Sequence, residues 1–392
     1  MIFTLSALSA EFLKAIEKID VLRTQLRYAT SDNRRRWTGL LRRSTFARGI
    51  QGSNSIEGYN VTEEDAVAAV DEEQPLDADT ETWMAVSGYR AAMSYVLQLA
   101  DDQFYKHNIG TIRSLHYMMV GFDITTHPGR WRPGSIWVRN DANGEIVYEG
   151  PDVELVHGLM NELVESLNDP SPLPVMVRAA LAHLNLVMIH PFSDGNGRMG
   201  RALQTMVLAR EGILDPHFSS IEEYLGRNTT EYYNVLAEVG QGSWHPERDA
   251  LPWIKFCLTA HYRQAETLLR RSKEIDHLWS LVEEEIKRRG LTDRMIMALM
   301  DAADGFRVRN SGYRKLAEIS DEVASKDLRT LVDQGLLISK GERRGRFYVA
   351  GDWLKEASKQ SRVKRIRTDP FIEGETGIIS SEAGQTAFPD FL

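Results

Sequence analysis

The chain has 392 residues, 42% of them hydrophobic and 26% charged, with a formal net charge of −9; this balance predicts a soluble globular protein with room for two or three domains. No apolar run approaches the roughly 18 residues of a spanning helix, and the opening MIFTLSALSAEFLKAIEKID lacks a basic n-region, so no membrane span or secretory signal is expected and the predicted location is cytoplasmic. One cysteine, Cys257 in the apolar run WIKFCLTA, excludes an internal disulfide framework and a cysteine-rich zinc site. The charge is uneven: residues 287–367 hold 20 Lys and Arg against 11 Asp and Glu, which suits contact with nucleic acid or, more blandly, a solvated face.

In chain order, Leu8, Phe12, Ile16, Ile19 and Leu22 recur at threes and fours and predict a helix. Thr62 ahead of EEDAVAAV is an N-cap followed by first-turn acids. TWMAVSGYRAAMSYVLQLA repeats the helical period, so the N-terminal third is expected to be all helix. Between Gly129 and Pro151 the pattern changes: Ser135 to Val138 and Glu145 to Tyr148 flank NDANG and predict a hairpin. Helical spacing resumes in DVELVHGLMNELVESL and in PVMVRAALAHLNLVMI, opened by Pro174 and running straight into His190; RALQTMVLAREG is a further helix, closed at Gly212. Helices continue through TTEYYNVLAEVG, LPWIKFCLTAHYRQAETLLRRS and DHLWSLVEEEIKRRG. From about Leu291 the order is helix, helix, tight turn, helix, hairpin, a winged-helix arrangement; SKDLRTLVDQG, with Lys326 and Arg329 exposed, is its recognition helix, and Arg343, Arg344 and Arg346 stand at the wing tip. The tail containing EGETGIISSEAGQ is poor in hydrophobic residues and expected to be disordered.

The densest chemistry is HPFSDGNGRMGR, His190 to Arg201, between two predicted helices. A helix N-terminus presents unpaired N–H groups and a partial positive charge, so a glycine-rich turn before it, here Gly195, Asn196 and Gly197, is a natural phosphate cradle. Arg198 and Arg201, three apart on the next helix, share a face and can fork onto phosphate oxygens. Asp194 is a hard carboxylate suited to Mg2+ shared with those phosphates. A neutral imidazole at His190 can take a proton from an incoming hydroxyl, and Phe192 suits an apolar anchor for the loop. Each part alone is more often structural; together they point to phosphate chemistry. A metal site of His183, His190 and Asp194 has no recognised spacing.

HPFSDGNGRMGR also resembles the full signature of the Fic family, HPFxx[DE]GNGRxxR, across all its fixed positions, and the likeness spans roughly residues 108–262. The resemblance implies a mainly α fold: a Fic helical core with a β-hairpin flap that binds ATP with Mg2+ and moves AMP to a Tyr, Thr or Ser hydroxyl of a target protein or of the chain itself. It implies that His190 is the general base and Asp194 the Mg2+ ligand, that Gly195, Asn196 and Gly197 form the anion hole, and that Arg198 and Arg201 hold the β- and γ-phosphates. Gly197 stands where Doc-type kinases have lysine, which favours adenylylation. The flap strand with Ile136, Trp137 and Val138 would dock the target, Arg132 and Trp137 being either specificity contacts or packing; Asn228 with Tyr232 or Tyr233 would wall the base, one of the two tyrosines facing the core.

Upstream, SNSIEG resembles the family's inhibitory motif [ST]xxxE[GN] in its N-terminal position. This implies that Ser53 and Glu57 form a brake in which the carboxylate makes a bidentate pair with Arg201, shielded from water, since an exposed pair would be worth only about 0–1 kcal/mol. In some Fic enzymes the equivalent glutamate helps water remove AMP, so reversal at the same site stays open. The expected organisation is an N-terminal helical region with the inhibitory motif (1–104), a Fic core (105–262), a helical linker (263–290), a winged helix (291–356) and a disordered tail (357–392). The alternative function is a DNA-binding regulator whose core senses nucleotide; DNA, a target protein and a second copy of the chain are the partners considered.

Overall fold

The computed structural model describes residues 1–31, 36–139, 144–212, 214–342, 345–365 and 368–372. The N-terminal third forms α1 (Ala10–Thr30), α2 (Thr38–Ile56), α3 (Glu63–Val70) and α4 (Thr80–Ala100). Thr62 caps α3 as expected, its hydroxyl accepting the Asp65 N–H at 3.0 Å ahead of three first-turn acids. After α5 (Ile109–Val120) come β1 (Trp137–Arg139), which begins two residues later than predicted, and β2 (Ile146–Glu149), one residue beyond its predicted span; Asn140 to Asn143 of the turn lie outside the described residues. The core continues with α6 (Val153–Asn168), α7 (Val175–Ile189), α8 (Asn196–Ala209), α9 (Glu222–Arg227), α10 (Thr229–Gly240) and β3 (Gly242–Ser243). Strands β1 and β2 pair antiparallel with Val138 opposite Tyr148, β3 lies parallel to β2, and the outer edge of β1 has no strand beside it among the described residues.

The segment predicted as two helices is one, α11 (Leu251–Arg288). The SKEID stretch between the two predicted pieces contains no glycine or proline to stop it, and Leu268, Leu278 and Val282 keep one face buried across the join. The expected boundary at 262–263 thus falls inside a continuous helix. Beyond it lie α12 (Ile296–Ala303), α13 (Asn310–Leu316), α14 (Asp321–Asp333), β4 (Leu337–Lys340), β5 (Phe347–Ala350) and α15 (Asp352–Ser361). Strands β4 and β5 form a hairpin, and Val308 bridges to Tyr348 as a third strand position. Of the expected wing tip, Arg343 and Arg344 lie outside the described residues. The segment expected to be disordered from 357 is ordered further: it supplies the end of α15, and its residues 368–372 return across α11, with Thr368 bonded to Tyr262 and Glu266 and Phe371 packed edge-on against Phe12 of α1. Residues 373–392 lie outside the described residues.

Two apolar cores explain the layout. One joins α1 and α4 to α5–α8 and the first half of α11, with α7 at its centre. The other joins Leu26, Trp37, Leu40 and Leu41 to the second half of α11 and to α12, α14 and α15. The helix α2 therefore touches both, and polar ties reinforce it: the Arg43 guanidinium bridges Asp71 and Asp301, and Arg48 reaches Asp304. Among the described residues no helix is long and apolar enough to cross a membrane.

Candidate active site

Helix α7 is apolar on nearly every face and is buried for most of its length. It stops at His190, whose backbone turns left-handed (φ 51°), a conformation costing a non-glycine residue about 1–2 kcal/mol. The His190 Nδ1 lies 3.1 Å from the Val187 carbonyl oxygen; that oxygen only accepts, so the proton sits on Nδ1 and Nε2 keeps its lone pair. Burial holds the imidazole below its ordinary pKa, assisted by the Arg132 charge, although the Val187 bond and the Glu57 and Asp194 carboxylates act the other way. A neutral histidine with a free Nε2 is a ready base.

The turn after it is braced from several sides. Phe192 is fully buried and stacks on His116 of α5, ring centroids 3.7 Å apart. The His116 Nε2 lies 3.0 Å from the Asp194 carbonyl oxygen, and its Nδ1 accepts the Gly129 N–H at 2.8 Å. Burial pushes this imidazole down to about 4, so it stays neutral with both nitrogens engaged. The Asn196 side chain closes back on Phe192, accepting its N–H and donating to its carbonyl, both at 2.9 Å. Of the expected anion hole, Asn196 can therefore offer its backbone N–H and not its amide. Gly195 opens α8 at φ 74°, where an added Cβ would lie 3.0 Å from Val120 Cγ1; the position suits glycine on both counts.

Two buried guanidiniums stand in the first turns of α8. Arg198 reaches Asp194 Oδ2 at 3.3 Å, yet its Nε and Nη1 have no hydrogen-bond partner among the described residues. Arg201 donates from Nε to Ser53 Oγ at 2.7 Å and from Nη2 to Ser53 O at 2.9 Å and Glu57 Oε1 at 2.7 Å, while its Nη1 has no hydrogen-bond partner among the described residues. Burial opposes the charge on Arg201, but Glu57 and the Tyr232 and Tyr89 phenols raise its pKa above the ordinary value. Orphan N–H groups at such depth are rare and costly, of order 1–3 kcal/mol each. Beside the unpaired amides of a helix N-terminus, they make a site built for a multiply charged oxyanion.

The segment that resembles an inhibitory motif lies here too. An added Cβ on Gly197 would lie 2.3 Å from Glu57 Oε1, so the carboxylate rests directly on the first turn of α8. The expected bidentate pair is instead a single contact: Glu57 Oε1 meets only Nη2, which it shares with the Ser53 carbonyl, while the Ser53 hydroxyl takes Nε. The shielding is uneven: the Arg201 side chain is 0% exposed, while that of Glu57, at 22%, is only partly withdrawn from water. Tyr59, which the sequence reading missed, lies over Arg198, its ring centroid 5.0 Å from the guanidinium carbon. A cavity of about 410 Å3 lies elsewhere, between α2, α11, α12 and α15.

Of the expected base-wall residues, Tyr232 does not face the cleft: it is buried, with its hydroxyl 3.0 Å from His183 Nε2 and its ring beside Trp253. The helical period sends its neighbour outward, and Tyr233, 47% exposed, donates to the Ile56 carbonyl at 3.1 Å. Asn228 is half-buried at the break between α9 and α10 and donates to the Tyr224 carbonyl at 2.7 Å. His183 is bound to Gln204 and Tyr232 inside the core, which removes it from any site shared with His190 and Asp194. Among the described residues no group of three or more His, Cys, Asp or Glu could hold a metal. Asp194, its side chain 45% exposed, is a lone carboxylate, which fits Mg2+ only as an ion carried chiefly by phosphate oxygens and water. In the flap, Trp137 is exposed and Ile136 and Val138 half-buried, while the Tyr148 hydroxyl anchors β2 to the Met188 carbonyl at 2.7 Å. Arg132 makes neither a surface contact nor an ion pair among the described residues; its guanidinium binds three backbone carbonyls.

A helical core, a hairpin and this turn define a class, and comparison bears it out: residues 107–208 match the Fic/DOC family, so the chain carries a Fic domain. The protein adenylyltransferase fic-1 of Caenorhabditis elegans is 30% identical over 164 residues, 41% of this chain and 30% of that protein. The protein adenylyltransferase Fic of Nematostella vectensis is 27% identical over 228 residues, 58% of this chain and 49% of that protein. The chain thus spans less than half the length of these relatives. A Fic family protein from Desulfovibrio desulfuricans G20 shares the fold over 88% of this chain and 98% of its own, with TM-score 0.57 and 20% identity. Fic-1 residues 134–508 from C. elegans align over 66% of this chain and 71% of that one, with TM-score 0.51 and 19% identity.

Proposed function

We propose that this chain transfers AMP from ATP to a hydroxyl of a protein, itself included, and that Ser53 and Glu57 hold the reaction back. The observation that supports this most is the set of unpartnered N–H groups on Arg198 and Arg201 beside the N-terminus of α8. In the reaction, His190 Nε2 takes the proton of the acceptor hydroxyl as its oxygen bonds to the α-phosphorus; the bond from that phosphorus to the α,β-bridging oxygen breaks and pyrophosphate leaves. The α8 amides and the two arginines neutralise the phosphate oxygens, so positioning and charge supply most of the rate. Asp194 would hold Mg2+ together with those oxygens, and the ion would offset their negative charge. Glu57 competes for Arg201 against the terminal phosphate, so nucleotide binds in a productive pose only once it moves.

The test is incubation of the Glu57→Gly chain with labelled ATP and Mg2+. AMP should appear on protein and vanish in Glu57→Gly with His190→Ala, while that double variant still binds ATP. No label on any protein in a lysate, with ATP bound normally, would sink the reading. Loss of label on dilution into ATP-free buffer, in the chain that retains Glu57, would add removal of AMP to it.

A second reading, DNA contact through a winged helix formed by residues 291–356, draws on Asp327. This acid is buried against Arg294 and the Tyr313 hydroxyl, so it does not dilute the exposed Lys326 and Arg329 of α14. Retention of random duplex that weakens steeply with salt is the expected result; none at low salt removes DNA from the account.

A further inference from the structure

Arg132 stands on the segment leading into β1 and is 3% exposed. Its own N–H donates to the Pro191 carbonyl at 2.9 Å, and its Nε donates to the His190 carbonyl, also at 2.9 Å. Its Nη1 donates to the carbonyl of Gly134, just before β1, at 2.5 Å, and its Nη2 to that of Pro151, just after β2. One side chain thus grips both ends of the hairpin and the peptide that carries the imidazole. A buried guanidinium usually pairs with a carboxylate; this one is spent entirely on carbonyls. The grip falls on the residue whose left-handed backbone most needs support.

We infer that Arg132 is a positioning residue: its guanidinium sets the spacing and register between the free edge of β1 and the His190 imidazole, so that a chain docked on that edge delivers its hydroxyl to Nε2. The inference rests on the AMP-transfer reading for its consequence, but its geometry is independent of it. Three planar donors in fixed directions are what the arrangement needs, and lysine offers a single point of attachment. The charge has a second effect, because among the described residues no carboxylate forms an ion pair with it, and Asp152, Glu154 and the Tyr148 phenol act on it only through space. The other charged groups acting on His190 are Glu57 at the end of α2 and Asp194 in the turn; both favour the protonated form, and Arg132 opposes them.

The experiment compares Arg132→Lys and Arg132→Met with the parent in the full-length Glu57→Gly chain, with Tyr148→Phe as a control that cuts only the other tie between β2 and α7. Three readouts are taken: hydrogen exchange of the β1 and β2 amides, NMR titration of the His190 ring identified by its loss in His190→Gln, and AMP transfer against pH. Both Arg132 variants should exchange their flap amides at least tenfold faster. They should also lose on the order of 10- to 100-fold in kcat/KM for the protein acceptor with KM for ATP within twofold. Arg132→Met should in addition raise the His190 pKa and move the acid limb of the rate profile upward, whereas Arg132→Lys, which keeps the charge, and Tyr148→Phe should leave the ring titration in place. If Arg132→Met does not fold, Arg132→Lys decides on exchange and acceptor kinetics. Unchanged flap exchange and acceptor kcat/KM in a folded Arg132→Lys chain overturn the inference. A parent without AMP transfer overturns the function instead, while exchange and ring titration still judge Arg132.

Discussion

Glu57 meets Arg201 through one arm of the guanidinium, and Tyr59 covers Arg198 two residues further on. In the proposed reaction the two contacts compete with a triphosphate for its two cations, with unequal strength. Removing one partner of a buried pair changes its free energy by about 3–5 kcal/mol; a cation–π contact is worth about 0.5–2 kcal/mol. Partial exposure of Glu57 and retention of the Ser53 contacts place the first at or below its lower end. Glu57→Gly should therefore raise AMP transfer on the order of 10²-fold and Tyr59→Ala by about 2- to 30-fold, read as initial rates at fixed ATP. Equal rates in Tyr59→Ala and parent would leave the ring a bystander. The turn itself was legible because its residues are consecutive and their chemistry is local. His116 on Asp194, Tyr59 on Arg198 and Arg132 on His190 were not, since each joins positions 58 to 139 residues apart and neither partner carries a pattern naming the other.

At the scale of elements, the proposed brake depends on how α2 lies against α9. The crossing is made of glycines: a Cβ on Gly52 would meet the Glu222 carbonyl oxygen at 2.5 Å, and one on Gly226 would meet Gly52 Cα at 2.5 Å. Both obstacles are backbone, so neither can rotate aside. Gly52→Ala should push the C-terminal end of α2 away, costing about 1–3 kcal/mol in stability and moving Ser53 and Glu57 off Arg201. The expected signature is a lower Tm together with faster AMP transfer per folded molecule, a combination that simple destabilisation does not produce; lower Tm with slower transfer would dissociate the crossing from the brake. Helix existence, the hairpin and the caps were visible because they follow from period and local capping. The fusion of two predicted helices into α11 was hidden by the polar run SKEID, which suggests a loop when read for hydropathy alone but contains nothing that breaks a helix.

At the scale of the molecule, the buried histidines and acids pull in opposite directions as pH falls. Burial holds His107 and His116 near 4 and His183 and His261 near 3, against about 6.5 in the unfolded chain. Between pH 6.5 and about 4 the unfolded chain binds protons that the folded one refuses, so each of the four favours unfolding as pH drops. Burial also raises Glu222 to about 7 and Asp301 to about 6; these two gain protons first in the folded chain and so favour folding over the same range. Four imidazoles against two acids leave about two net protons, or roughly 3 kcal/mol of stability lost per pH unit between 6 and 5, and His190, also held down by burial, adds to the loss. His107, His116 and His183 pack against the first apolar core and Asp301 lies in the polar seam where α2 meets α12, so the loss should register in the unfolding of the whole chain, with Tm at pH 5 several degrees below Tm at pH 7. Glu222→Gln removes one counterweight and should steepen the decline. A Tm that holds level or rises on acidification would mean that the imidazoles are protonated in place, and the neutral His116 that braces Asp194 would have to be abandoned with them.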